Sequence, residues 1–437
     1  MTKCTLPGID FPIVCGRRVE ARFDGGHVTS DGGAMLIRQM DRRLGVTRRA
    51  AKVLNDPRQP GKIDHSALSI IRQRVYGLAL GYDDLNDHDL VRHDLCLQSA
   101  VERDRALASS STLCRFENSM DRSAAVALNA LMVELFIESF RSVPRELVLD
   151  FDATDVLVHG NQVGRFFHGF YGNYCFLPLY VTCGNQLLVS YLRPSKIDGA
   201  RHAWAVLALL VRRLRQVWPQ VRIIFRADGG FCRHRMLDWC DRMNVGYIVG
   251  LPRNQRLERM CSRTREKARR SFERNHRKVR RFIDIGYAAS TWRHRRRVIV
   301  KAEYNSLGQN TRFVVTNLPG KAQQLYDELY CGRGDMENRI KEQQLDLFAA
   351  RTSCHDWWPN QFRILLSSLA YVLLEGMRRL ALMGTELVRA QCSTIRLKLL
   401  KIGAVVTRNT RRLRLMFNSA YPWQNLFILV ARRLAIE

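Results

Sequence analysis

Three carboxylates, Asp152, Asp228 and Glu337, stand in settings suited to metal-assisted phosphoryl chemistry. Asp152 lies in the strand-like run 146–154 (ELVLDFDAT). Asp228 ends the apolar run 221–228 (VRIIFRAD), and Glu337 lies in the helix-like stretch 330–345 (YCGRGDMENRIKEQQL). They are 76 and then 109 residues apart, so only the fold can bring them together. A carboxylate in an apolar strand is costly unless it is paired or bound to a metal. Mg²⁺ is hard, takes one or two carboxylates per ion and completes its shell with water and phosphate oxygens. Two such ions about 4 Å apart activate an attacking water or hydroxyl and stabilise the leaving oxygen of a phosphodiester. The expected cofactor is therefore Mg²⁺, as two ions, with Mn²⁺ as a substitute.

The residues leave alternatives open. Along an extended strand Val148, Asp150 and Asp152 share one face, so the first ligand is either aspartate. Thr154 and Asp155 add polar atoms nearby. Gly229 and Gly230 follow Asp228 and let backbone or ligand approach the strand end, where open α/β sheets bind their ligands. Tyr330, Arg333, Glu337 and Lys341 follow at +3, +4 and +4 and share a helix face. Cations there would meet substrate phosphates, Arg333 bidentately. A plain Glu337–Lys341 pair explains two of the four more simply, and Glu342 is a rival to Glu337.

The elements that must position these groups can be read in outline. Residues 27–142 carry mainly helical periodicity, with a helix start at Thr29-Ser30-Asp31, and one short strand precedes them, ending at Gly25-Gly26. Pro144 marks a boundary. Three strands follow over 146–193, with an aromatic stretch at 165–180 and a hairpin turn at Gly184-Asn185. Then come a helix at 198–217, the strand 221–228, a helix near 233–243 and a strand at 247–251. The order βββ-α-β-α-β is that of a mixed sheet flanked by helices, in the α/β class. Helical patterns return at 321–345, weakened by Gly332 and Gly334, and at 361–382, which is apolar enough to be buried. The expected division is 1–143, a mainly helical N-terminal domain for DNA binding; 144–252, the first part of a catalytic core; 253–320, a basic β-containing insertion; 321–385, the second part of the core with the Glu337 helix; and 386–437, a basic helical C-terminal region.

Charge points to the partner. The net charge is +29, which says polyanion. Residues 253–301 hold 18 Lys and Arg against 4 acids, about half of that excess, and 396–414 holds seven against none. Trp292 stands beside Arg295, Arg296 and Arg297, where it can stack on an unpaired base or simply pack. No apolar run is long enough for a spanning helix, and residues 1–18 do not read as a secretory signal. Nucleic acid is then the favoured polyanion, inside the cell, with no membrane and no small-molecule substrate. The 12 cysteines form no C-x₂-C pair, so they read as reduced, mostly buried thiols.

Together, D-A-T at 152–154, the strand ending at Asp228, and Y-C-G-R-G-D-M-E at 330–337 resemble the DDE transposases of bacterial insertion sequences. In particular the chain resembles the branch with a Y-x₂-R-x₃-E-x₆-K signature, and the resemblance spans about 27–382. The resemblance implies an RNase H-like catalytic fold with a β-rich insertion before the glutamate. It implies a metal-binding triad of Asp152, Asp228 and Glu337, phosphate contacts from Tyr330 and Arg333, and base stacking by Trp292. It further implies cleavage at terminal inverted repeats, joining of 3′-hydroxyls to target DNA, a homodimer in the synaptic complex, and second-strand cleavage through a hairpin. The same resemblance implies a bacterial cytoplasm and nucleoid. The signature lysine would fall at 344, which is Gln344; Lys341 lies one turn earlier. Two other functions remain: a transposase-derived DNA-binding protein that does not cut, and a generic RNase H-like nuclease.

Overall fold

The structure, a computed structural model, describes residues 8–435. The expectation about residues 1–18 falls partly on residues outside that range, as does Cys4. The chain divides into two compact units: Val53–Asn55 with Glu117–Val372, and Met1–Lys52 with Asp56–Phe116 and Leu373–Glu437. The C-terminal stretch thus packs with the N-terminal one, a pairing that no linear reading of the sequence offers.

The larger unit is built on an eight-stranded mixed sheet. Its strands are β1 (Glu146–Ala153), β2 (Leu179–Cys183), β3 (Gln186–Tyr191), β4 (Arg222–Ala227), β5 (Gly246–Leu251), β6 (Val279–Tyr287), β7 (Arg296–Asn305) and β8 (Gly308–Thr316). The spatial order is β6-β7-β8-β5-β4-β1-β2-β3. The neighbours β1, β4 and β5 are parallel; the rest pair antiparallel. The expected helix–strand alternation after residue 193 and the tight turn at Gly184-Asn185 are present, but six strands lie over 146–191 where three were expected. Strands β6 to β8, from the basic stretch, are 9 to 10 residues long and extend this same sheet through the β8–β5 pairing.

Alternation along the strands sorts the two faces. Leu147, Leu149, Phe151, Ile223, Phe225, Tyr247 and Val249 pack on one side with the helices Ala203–Val217 and His234–Arg242. Val148, Ile224, Ile248, Ile299 and Val314 face the other way, against Tyr326, Leu329 and Tyr330. Asp150 and Asp152 belong to this second face. The edge strand β3 is covered from the long helix Trp357–Leu380: Gln361 bonds both Leu192 N and Ser190 O, at 2.6 and 3.0 Å, and Ser368 bonds Ser190 Oγ at 2.8 Å. Covering an edge in this way blocks stray pairing. A small three-stranded sheet, Val156–Leu157, Asn173–Phe176 and Phe166–His168, follows directly on β1. The aromatic stretch therefore forms its own sheet and not part of a simple meander.

The smaller unit is mainly helical, with corrections at both ends. The helix Ala34–Leu44 is preceded by Gly33 and has no side-chain cap. Asp31 instead accepts from Tyr82 Oη at 2.6 Å and pairs with Lys401 at 2.7 Å, so Thr29-Ser30-Asp31 is not a helix start. Residues expected as a helical C-terminal region include the strands Ala404–Arg408 and Leu413–Phe417, the first of which also pairs with Val28–Thr29. Ile402, Ala404 and Val406 are buried while Val405 and Thr407 are exposed, the period-two pattern of a strand. Among the described residues the cysteines are free thiols, most of them shielded from solvent, and no helix is long and apolar enough to cross a membrane.

His88 is completely buried in this unit. Its Nε2 lies 2.9 Å from Arg74 Nη1 and so accepts from the guanidinium. Burial, then the Arg74 charge, push its pKa well below the usual value. The unfolded chain takes up a proton near pH 6.5 that the folded chain refuses. Stability is complete above that pH and falls below it, by up to about 1.4 kcal/mol per pH unit. Urea unfolding at pH 7.5 and 5.5 is expected to show this loss in the wild type and a smaller one in His88→Gln.

Candidate functional site

The site forms where β1 and β4 end side by side. Their parallel register sets Arg226 beside Asp150 and Ala227 beside Phe151, so Asp228 lies one residue beyond the last pair, next to Asp152. In both strands the sequence places a polar residue two before the terminal aspartate: Asp150-x-Asp152 and Arg226-x-Asp228. The same pleat therefore aims all four to one face. Arg226 forms a bidentate pair with Asp150, one arm at 2.6 Å, and both side chains are buried. Burial pushes the Asp150 carboxyl up while Arg226 pulls against it. Asp150 is thus engaged as the partner of a buried cation, and Asp152 is the aspartate that faces the strand end. Asp228 accepts from Gly230 N at 2.9 Å, which fixes its carboxylate at the start of the following turn.

A continuous but irregular helix crosses this face. It runs through a π-helical stretch, Leu325–Tyr330, a tight turn, Cys331–Arg333, the α-helix Gly334–Lys341 and a second π-helical stretch, Glu342–Asp346. Such π-helical insertions re-aim side chains and recur at functional sites. Arg333 Nη1 donates to Asp152 at 3.2 Å and its Nη2 to Glu337 at 2.8 Å. Glu337 therefore pairs with Arg333 and not with Lys341, which is exposed and has no ion-pair partner among the described residues. Glu342 is buried against Arg339 at 2.5 Å, inside the helix's own ion pair. Gln344, at the position of the signature lysine, donates to Asp155 O at 2.9 Å and ties the helix to the segment after Asp152.

Two glycines make these approaches possible. A Cβ on Gly332 would stand 2.7 Å from Arg226 Nη1, which bonds Leu329 O. A Cβ on Gly250 would stand 2.7 Å from both Gly229 N and Tyr330 Oη. Gly250→Ala is therefore expected to displace Tyr330 from the turn that carries Asp228. A shift of this kind in a catalytic site costs about 10²-fold in rate, with a stability loss of about 1–3 kcal/mol; an activity assay and urea unfolding of the same preparation separate the two.

The electrostatics are short of positive charge. Burial pushes the Asp152 carboxyl up to about 6; Arg333 opposes this, while Asp228 and Glu337 add to it. Burial likewise raises the Tyr330 phenol, against the pull of Arg333. Among the described residues no three His, Cys, Asp or Glu side chains are spaced to share one ion, and Arg333 occupies the space between Asp152 and Glu337. The donor chemistry nevertheless fits a hard divalent cation: three carboxylates, two of them partly buried, with a single guanidinium among them.

The remaining expected site residues lie in the β6–β7 loop and at the start of β7. Trp292 packs edge-on against Tyr287, with its centroid 5.5 Å away, and beneath the Arg296 guanidinium. Arg296 is turned inward to Asp238, Asp241 and Tyr247 Oη and is only 4 % exposed. Arg297 forks onto Asp284 at 2.8 and 2.9 Å. Arg295 donates to Gly286 O and remains exposed. As the chain stands, Arg296 and Arg297 serve the sheet. Sequence reasoning missed Arg226; the matched i, i+2 spacing in the two strands was the signal that could have found it.

Carboxylates thus converge at the ends of adjacent parallel strands of a mixed α/β fold, and comparison with known families says which kind of protein carries them. The chain belongs to the transposase DDE domain group 1 family, whose model matches residues 11–436. No curated protein matches it. Among solved structures it is similar to a piggyBac transposase synaptic complex with hairpin DNA, determined by cryo-EM. The identity is 11 %, over 85 % of this chain and 80 % of that one, and the TM-score is 0.41, too distant to guide residue-level comparison.

Proposed function

We propose that this transposase is the enzyme of a bacterial insertion sequence, acting in the cytoplasm on the DNA of its own element. In this reading it binds the terminal inverted repeats, cuts there, and joins the 3′-hydroxyl ends to target DNA. The catalytic and metal-binding residues are Asp152, Asp228 and Glu337. What carries the reading is their convergence around Arg333 at the ends of β1 and β4. The spatial order β3-β2-β1-β4-β5, with β2 alone antiparallel to both its neighbours, supports an RNase H-like core.

Bound to these carboxylates, two Mg²⁺ or Mn²⁺ ions would supply activation of the attacking oxygen and neutralisation of the leaving one. The chain's own residues do the positioning. Arg333 is poised to exchange its carboxylate partners for a DNA phosphate, which its planar fork matches. Tyr330 Oη sits against the turn carrying Asp228 and offers a second phosphate contact. Gln344 holds the backbone after Asp152 in place, and Lys341, one turn earlier and exposed, adds a further cation. The helical region 1–143 and the basic surface of 253–320 serve as further DNA contacts, and two chains act together because an element has two ends.

The test is excision from a supercoiled plasmid carrying the DNA that flanks this gene, with Mg²⁺ or Mn²⁺ supplied. Wild type is expected to cut at the flanks, and Glu337→Gln to bind without cutting. Cutting that survives Glu337→Gln would overturn the assignment of the third carboxylate. Specific binding without cutting by the wild type would favour a DNA-binding derivative.

A further inference from the structure

Residues 156–197 contain no Asp or Glu. Within them the small sheet that follows β1 presents aromatic side chains to solvent: Phe170 is 85 % exposed, Phe167 58 % and Tyr174 51 %. Single exposed apolar side chains are ordinary, but a cluster on one short hairpin marks an interaction surface. Cations sit over it. The Arg165 guanidinium is 4.9 Å from the centre of the Tyr174 ring, and the Lys196 ammonium 5.4 Å from that of Phe166. The rings brace one another edge to face, Phe167 with Tyr174 at 5.6 Å and Phe170 with Tyr171 at 5.0 Å. That arrangement leaves ring faces open.

The hairpin adjoins the carboxylates. Asp152 is four residues before Val156, where the small sheet begins. The Tyr171 phenol is raised by burial and then by the charges of Asp155, Asp152 and Asp228, so it lies within their field.

We propose that the aromatic hairpin Phe166–Tyr174 is a stacking platform for unpaired bases of DNA leading into the carboxylate site. This rests on the reading of the chain as a DNA-cutting transposase. Every base has a π-face, so aromatic rings interleaved with cations hold a single strand without reading its sequence. A paired duplex keeps its bases stacked on one another and offers these rings nothing. The absence of any carboxylate over 156–197 suits a polyanion, and Trp292, packed beneath Arg296, is not free for this task in the structure.

The experiment uses the full-length protein and two duplexes made from the DNA flanking the gene. One is blunt; the other ends in about six unpaired nucleotides, with 2-aminopurine among them. Wild type is expected to prefer the unpaired end and to quench 2-aminopurine. Phe170→Ala should weaken binding to the unpaired end by about tenfold, and Phe167→Ala/Phe170→Ala by about a hundredfold, with quenching lost and blunt-duplex binding unchanged. Phe170→Trp should retain both signals. Wild-type preference and quenching in the double variant would overturn the platform. So would equal binding of the two duplexes by wild type, with DNA binding itself intact. No binding of either duplex would overturn the parent reading together with the platform.

Discussion

Asp152→Asn is expected to lower cleavage of the flanking DNA by about 10³-fold or more, while leaving the metal-free protein more stable than wild type. The two effects have one cause. Burial, helped by Asp228 and Glu337 and opposed by Arg333, raises the Asp152 carboxyl to about 6, against about 3.9 in an unfolded chain. A raised carboxyl favours the folded state only while it is protonated. The contribution is present below the unfolded pKa and is lost as pH rises through about 6, so at pH 7.5 the ionised group is a cost. Asparagine removes that cost, worth roughly 1–3 kcal/mol. Urea unfolding in a chelator at pH 7.5 should show the gain. Mg²⁺ should then stabilise wild type by mass action and leave the variant unmoved. Asp152→Asn being less stable than wild type in the chelator would mark the carboxylate as a structural anchor for Arg333. Glu337→Gln should lose cleavage to a similar degree with a stability change under about 1 kcal/mol, because its pair with Arg333 is partly exposed.

What the sequence makes legible follows from how local the cause is. The strands that carry Asp152 and Asp228 are readable because apolar alternation and a glycine turn are local signals. The choice between Asp150 and Asp152 is not, because it depends on which residue of β4 stands beside each, and register belongs to the sheet. Charge counting marks Arg295, Arg296 and Arg297 as a DNA surface, yet it cannot tell an outward guanidinium from one turned in to Asp238, Asp241 or Asp284. A uniform helical wheel pairs Glu337 with Lys341, whereas the real helix uses the same i, i+4 spacing in the other direction, to Arg333. The strand Ala404–Arg408 alternates cleanly, but the density of Lys and Arg around it masks the period. That it pairs with Val28–Thr29 no local pattern could reveal.

Asp150→Ala, two residues from Asp152, is expected to have the opposite signature: a destabilisation of about 3–5 kcal/mol, the usual effect of breaking a buried ion pair from one side. Its carboxylate neutralises Arg226, and both side chains are nearly inaccessible. Without it the guanidinium keeps its bond to Leu329 O but has no counter-charge. Arg226→Met removes the other partner, and the stranded Asp150, already pushed up by burial, can escape part of the penalty by taking a proton. Arg226→Met should therefore cost less than Asp150→Ala, and its cost should shrink as pH falls. The double variant should recover part of the loss, because two apolar side chains leave no buried charge behind. Urea unfolding of the two single variants and the double variant at pH 7.5 and 5.5 checks all of this. Additive losses would mean that the two groups act independently. Cleavage should fall in these variants as well, since Arg226 links the strands beneath the site to the helix that carries Arg333 and Glu337. That fall should track the folded fraction and the position of the helix, whereas the loss in Asp152→Asn should persist in fully folded protein.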